Sequence, residues 1–94
     1  MISFIIIGYN EEKFLDKCFQ SIYNAILCAQ INKYEIIYVD SNSSDKSIAI
    51  AEVYKEVKIF KIIGKHNAAI GRNIGAKEAR GDILFFIDGD LEIN

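Results

Sequence analysis

Four short apolar runs, separated by stretches with helical spacing, constrain this chain more than any other feature. Residues 2–7, 34–39, 57–63 and 82–87 are dense in Ile, Val, Phe and Tyr and show little polar alternation. Runs of that kind read as strands covered on both faces. Between the first two, Phe14, Cys18, Ile22, Ala25 and Ala29 recur at helical intervals, with Leu15, Phe19 and Ile26 widening the stripe. A helix over residues 11–30 follows, with Asn10 as its expected N-cap and Glu11 and Glu12 favourable at its N-terminus. Ser41-Asn42-Ser43-Ser44 is turn chemistry before a second helix over 45–55. A third helix is expected over 68–80, with Gly81 as its C-terminal cap. Gly71 and Gly75 lie one turn apart on that helix and allow one face to pack closely on a sheet or ligand. Strands alternating with helices imply a Rossmann-like open parallel sheet with helices on both faces.

Composition limits what such a sheet can serve. The 94 residues suffice for one small domain, and neither a linker, an internal repeat nor a low-complexity segment divides them. A net charge of −2 gives no electrostatic case for nucleic acid or an anionic membrane. The longest early apolar run is far too short to span a bilayer, and the first residues lack the basic stretch of a secretion signal. Cys18 and Cys28 are about 15 Å apart along one helix, too far for a disulfide. They read as unpaired thiols in a reducing compartment, so a cytoplasmic location is expected. The single histidine, His66, falls in a loop with nothing nearby to make it a base or ligand.

Ligands of open parallel sheets bind beyond the carboxyl ends of the strands. At those ends this sequence carries Gly8-Tyr9-Asn10-Glu11, then Asp40, then Asp88-Gly89-Asp90. Two carboxylates flanking a glycine suit a hard cation such as Mg²⁺ or Mn²⁺, which takes its remaining ligands from phosphates. Asp and Gly also favour plain turns, so a simple strand ending stays open for the same residues. Asp40 can accept from a base N–H or a ribose hydroxyl, or it can merely start a turn. The first turn lacks the G-x-G-x-x-G pattern, which argues against a nicotinamide or flavin site. The run 40–45 lacks the glycine and closing acid of a calcium loop. Arg72, close to the start of the third helix, can meet a phosphate or simply face water.

The pieces Ile5-Ile6-Ile7-Gly8-Tyr9-Asn10-Glu11, Val39-Asp40-Ser41-Asn42-Ser43-Ser44-Asp45, Arg72-Asn73-Ile74-Gly75, Ala79-Arg80-Gly81 and Phe86-Ile87-Asp88-Gly89-Asp90 occur in the order of a known family. In them the chain resembles the amino-terminal half of a family 2 glycosyltransferase with the GT-A fold. The resemblance implies a nucleotide-sugar donor, commonly a UDP-sugar, and a divalent metal, Mg²⁺ or Mn²⁺. It implies that Tyr9, Asn10 and Glu11 border the nucleoside with Asn42 nearby, and that Asp40 accepts from the base. Arg72 would lie beside the nucleotide, Asp88 and Gly89 at the ribose or metal, and Asp90 on the metal at the diphosphate. It also implies the strand order 3-2-1-4.

The sequence departs from the family pattern at Ile7-Gly8, where Pro-Thr or Pro-Ala is usual, and at Leu91, where an acid is common. Members of the family continue well past the aspartate pair, and the general base is expected beyond Asn94. The chain is therefore expected to be a donor-binding fragment of a larger enzyme, weakly active at most on its own, whose full-length parent could sit at the inner membrane face. Two other readings compete. A nucleotidyltransferase would open with a glycine-rich basic loop, which Gly8-Tyr9-Asn10-Glu11 is not. A non-catalytic module that self-associates is the other. In the order 3-2-1-4 the fourth strand is an edge without a guarding charge over residues 83–87, so a homodimer through strand 82–87 and neighbouring helices is expected.

Overall fold

A computed structural model of the chain describes residues 1–64 and 67–89. His66 and Asp90 lie outside the described residues. The strands are β1 (Ile2–Gly8), β2 (Tyr34–Asp40), β3 (Lys58–Lys61) and β4 (Ile83–Asp88). The helices are α1 (Leu15–Cys28), α2 (Ser47–Val53) and α3 (Ala68–Glu78). All strand pairs are parallel, and the sheet order is β3-β2-β1-β4, as the resemblance implies.

β1 and β2 form the buried centre, and their alternate residues feed two cores. On one face Phe4, Ile6, Ile36 and Tyr38 pack with Leu15, Cys18, Phe19, Ile22 and Ile26 of α1 and with Ala51 of α2. On the other face Ile5, Ile7, Ile37 and Val39 pack with Ile70 and Ile74 of α3. A methyl added at Gly71 would fall 2.8 Å from Ile7 Cγ2, and one at Gly75 would overlap Ile5 Cγ2. The two glycines thus let α3 lie directly on β1, the close helix-on-sheet approach their spacing suggests. Among the described residues no helix is long and apolar enough to cross a membrane.

The amino-terminal end of the sheet is fastened by one buried carboxylate. Glu35 Oε2 accepts from Ser3 Oγ at 2.6 Å and from the Arg80 backbone N–H, and Oε1 accepts from Lys58 Nζ at 3.1 Å. Ser3 Oγ in turn accepts from Gly81 N at 2.9 Å. Burial alone would raise the pKa of Glu35, but the Ser3, Arg80 and Lys58 donors outweigh it and hold the group at about 2.

Two expected caps differ from what forms. Asn10 does not cap α1, which begins five residues later, at Leu15, after a turn closed by Leu15 N donating to Glu11 O at 2.8 Å. Asn10 instead adopts φ 51°, and its side chain turns toward the second loop. Gly81 is not the left-handed cap of α3: the helix ends at Ala79 with extended backbone, and Gly81 is kept small by Ser3 and the Met1 carbonyl. Asn67 caps the start of α3 by accepting from Ile70 N at 2.8 Å. β3 spans four residues rather than seven, because it pairs with β2 only from Ile37 to Asp40. Among the described residues β4 pairs with β1 alone, and Ile83, Leu84, Phe85 and Phe86 all remain exposed.

Candidate functional site

Parallel pairing brings every strand's carboxyl end to one rim. The register sets Lys61 beside Asp40, Asp40 beside Gly8, and Ile7 beside Asp88. The three segments that the sequence marks as candidates therefore meet there. Side-chain alternation divides them between the faces. Asp40 follows Tyr38 on the side of α1 and α2, whereas Asp88 pairs with Ile7 on the side of α3. α3 begins at this rim, so Arg72, exposed and adjacent to Gly71, stands on the same side as Asp88. Asp88 is exposed, and Gly89 N donates to Ile7 O at 3.0 Å. Gly89 is buried; a methyl there would sit 3.3 Å from Glu11 Cγ, so the Asp88-Gly89 turn adjoins the first loop.

The first and second loops are stitched together by side chains accepting from consecutive amides. Asn10 N donates to Ser43 Oγ at 2.9 Å, Glu11 N to Ser47 Oγ at 2.9 Å, and Glu12 N to Asp45 Oδ2 at 3.1 Å. Ser44 N reciprocates by donating to Asn10 Oδ1 at 2.8 Å. The amides ahead of α1, which no helical carbonyl can serve, are satisfied by side chains more than thirty residues away. Tyr9 is left exposed beside this seam, as is Asn42, whose φ of 65° bends the second loop. Asn tolerates that left-handed conformation better than most residues.

Asp40 is where the structure adds most to the sequence reading. It is fully buried at the rim rather than open to it. Oδ1 accepts from Tyr38 Oη at 2.7 Å and from Ser43 Oγ at 2.6 Å, while Oδ2 accepts from Ser43 N at 2.7 Å. Tyr38, Ser43 and Ser47 were not marked by sequence reasoning. The available signal was a tyrosine inside an apolar strand, two residues before an acid and next to a strand that ends in glycine. Among the described residues no three acid, histidine or cysteine side chains converge to hold a metal. A cavity of about 270 Å³, lined among others by Glu35, Glu56, Lys58 and Arg80, lies at the opposite end of the sheet.

An open parallel sheet whose loops gather acids, amides and an arginine at the carboxyl rim carries its candidate groups where open α/β sheets bind their ligands. Residues 3–94 match the model of glycosyl transferase family 2, and the chain belongs to that family. The chain is 36% identical over 93 residues to the uncharacterized glycosyltransferase EpsJ of Bacillus subtilis, covering 96% of this chain and 26% of that protein. It spans about a quarter of the length of such curated relatives. Residues 1–349 of TarS from Staphylococcus aureus superpose with a TM-score of 0.84 at 28% identity, over 99% of this chain and 28% of that one. TarS has also been solved with UDP and with UDP-GlcNAc. The mannosyltransferase PcManGT of Pyrobaculum calidifontis, solved with GDP-Man and Mn²⁺, shares the fold at 21% identity, with a TM-score of 0.83 over 97% of this chain and 28% of that one.

Proposed function

We propose that this chain binds the donor of a glycosyltransferase, a nucleoside-diphosphate sugar and first among these a UDP-sugar. The observation that carries the reading is the convergence of Tyr9-Asn10-Glu11, Asp40 and Asp88-Gly89 on one rim of a family 2 sheet. The UDP complexes of TarS favour uridine as the nucleoside. In this reading Tyr9, Asn10, Glu11 and Asn42 border the nucleoside, and Asp40 offers Oδ2 to a base N–H. Arg72 lies beside the phosphates, on the side of the sheet that carries Asp88. The exposed Asp88 carboxylate suits a hard cation that completes its shell from a diphosphate. Asp88 and Asp90 would hold Mg²⁺ or Mn²⁺. Such a cation offsets the charge that develops on a departing diphosphate.

Calorimetric titration of UDP with Mn²⁺, and again with excess chelator, tests this function. Binding that tightens with metal is expected, and Asp90→Asn should remove the metal dependence while leaving the melting temperature unchanged. Equal affinity in both titrations would refute the cation reading, and no binding in either would refute the donor site.

Self-association is a second property that a specific observation favours. Four consecutive apolar residues of β4 are exposed on both faces of an edge strand. A second copy of the chain, pairing β4 with β4 or covering the β4 face, would bury them as a homodimer.

A further inference from the structure

We infer that Tyr38 is a positioning residue for base recognition: its phenol, in the room that Gly8 leaves, fixes which oxygen of Asp40 meets the base. The inference rests on the reading of Asp40 given above. Tyr38 and Asp40 are both fully buried on one face of β2, and Gly8 is the register partner of Asp40 on β1. The two donors on Oδ1, Tyr38 Oη and Ser43 Oγ, fill both of its lone pairs. Oδ2 accepts only from Ser43 N among the described residues, so one acceptor position remains, and it is on that oxygen.

A carboxylate with one open acceptor selects by chemistry. It suits a base that presents a ring N–H, as uracil does at N3 and guanine at N1. Cytosine presents a ring acceptor at the same edge, so lone pair would meet lone pair. Because Asp40 is covered, a base N–H reaches Oδ2 only as the turn over residues 41–44 shifts. Ser43 rides on that turn, whereas Tyr38 reaches Asp40 from the fixed centre of the sheet. The phenol is therefore the donor that holds Oδ1 while the turn moves. Burial, with the carboxylate beside it, pushes the Tyr38 pKa upward and keeps the hydroxyl a donor.

Gly8 belongs to the same device. A methyl at position 8 would lie 3.0 Å from both Cε1 and Oη of Tyr38, closer than carbon ordinarily approaches. Any larger residue there must displace the phenol and with it the anchor of Asp40. The absence of a side chain at position 8, where the family usually carries one, thereby becomes the condition for a tyrosine two residues before the base-reading acid.

The test compares UDP with CDP by calorimetry in the presence of Mn²⁺, alongside thermal melting of each variant. Wild type should prefer UDP. Tyr38→Phe keeps the ring and should weaken UDP about tenfold, with CDP little changed, so the ratio collapses. Gly8→Ala should reproduce that loss, and the double variant should add little to either. Tyr34→Phe is the control. It removes a tyrosine–carboxylate bond of 2.9 Å to Glu56 at the far end of β2, so it should lower the melting temperature and leave the ratio intact. If Asp40→Ala abolishes the ratio while Tyr38→Phe and Gly8→Ala preserve it, Tyr38 has no positioning role and the base reading stands. If Asp40→Ala also preserves the ratio, both fall. Should Tyr38→Phe fail to fold, Gly8→Ala decides by the same ratio.

Discussion

Glu35→Gln should remove the largest part of the acid-dependent stability that Glu35 supplies. Glu35 is 9% exposed, and its carboxyl is held at about 2 against an ordinary 4.5. The folded pKa lies below the unfolded one, so the carboxylate stabilises the native state above pH ~4.5, and that contribution fades as pH falls toward 2. The gap corresponds to at most about 3 kcal/mol. For a domain of this size that is a large share of a total stability of roughly 5–15 kcal/mol. It amounts to a melting shift of about 12–24 °C. Glutamine keeps the shape and one acceptor but loses the charge that Lys58 Nζ and the Arg80 N–H address. Urea unfolding of both proteins from pH 7 to pH 2.5, followed by circular dichroism, measures the difference directly. Wild type should exceed the variant by up to about 3 kcal/mol at pH 7, and the gap should shrink below pH ~4.5 and nearly close by pH 2.5. Parallel curves with a constant gap would refute the reasoning, because a gap indifferent to pH is a packing effect and not the ionised carboxylate. UDP affinity of the folded variant should be unchanged, since Glu35 and the rim occupy opposite ends of the sheet.

Two further outcomes follow from packing. Gly75→Ala should destabilise by about 1–2 kcal/mol, because overlap with Ile5 Cγ2 outweighs the ~1 kcal/mol gain in helix propensity; a more stable variant in urea would mean that α3 does not lie directly on β1. Light scattering at rising concentration should show a species of twice the 10.6 kDa chain mass, and Phe85→Lys should shift it toward monomer; a monomer throughout would overturn the homodimer.

The strands were legible because a strand buried on both faces must be apolar throughout, and β1 and β2 are so buried, whereas their order came from the family resemblance. The meeting of Asp40, Asn10 and Asp88 at one rim followed from parallel pairing, with no side-chain geometry required. What local pattern could not reveal is the use of side chains as distant caps. Asn10 looks like the cap of the helix after it, yet its partners are Ser43 and Ser44 across the rim. Glu35 sits between Tyr34 and Ile36 as any strand acid might, and only the junction after α3, which delivers the Arg80 and Gly81 amides, makes it a buried anchor. The burial of Asp40 was equally hidden, because it depends on a phenol that fits only against a glycine on the neighbouring strand.

The rim divides into two halves of different rigidity, and that division bears on how a donor would be chosen. The half formed by the first two loops is tied by Ser43, Asp45, Ser47 and Asn10 to consecutive amides, and Asp40 is locked beneath it from the sheet. The other half, Asp88-Gly89, stands at the end of a strand that pairs on one side only, with both of its faces largely exposed. A base entering the first half shifts the turn over residues 41–44 but meets an Asp40 carboxylate already held by Tyr38 from the sheet, so a wrong edge gains no hydrogen bond in return for that movement. A diphosphate and cation entering the second half meet the exposed Asp88 carboxylate, with Glu11 beside the same turn. Base identity would then be decided by a prebuilt contact and phosphate affinity by an assembled one. Mutations at Tyr38 or Gly8 should accordingly change the ratio between nucleotides, while mutations at Asp88 or Asp90 should change affinity for all diphosphates alike.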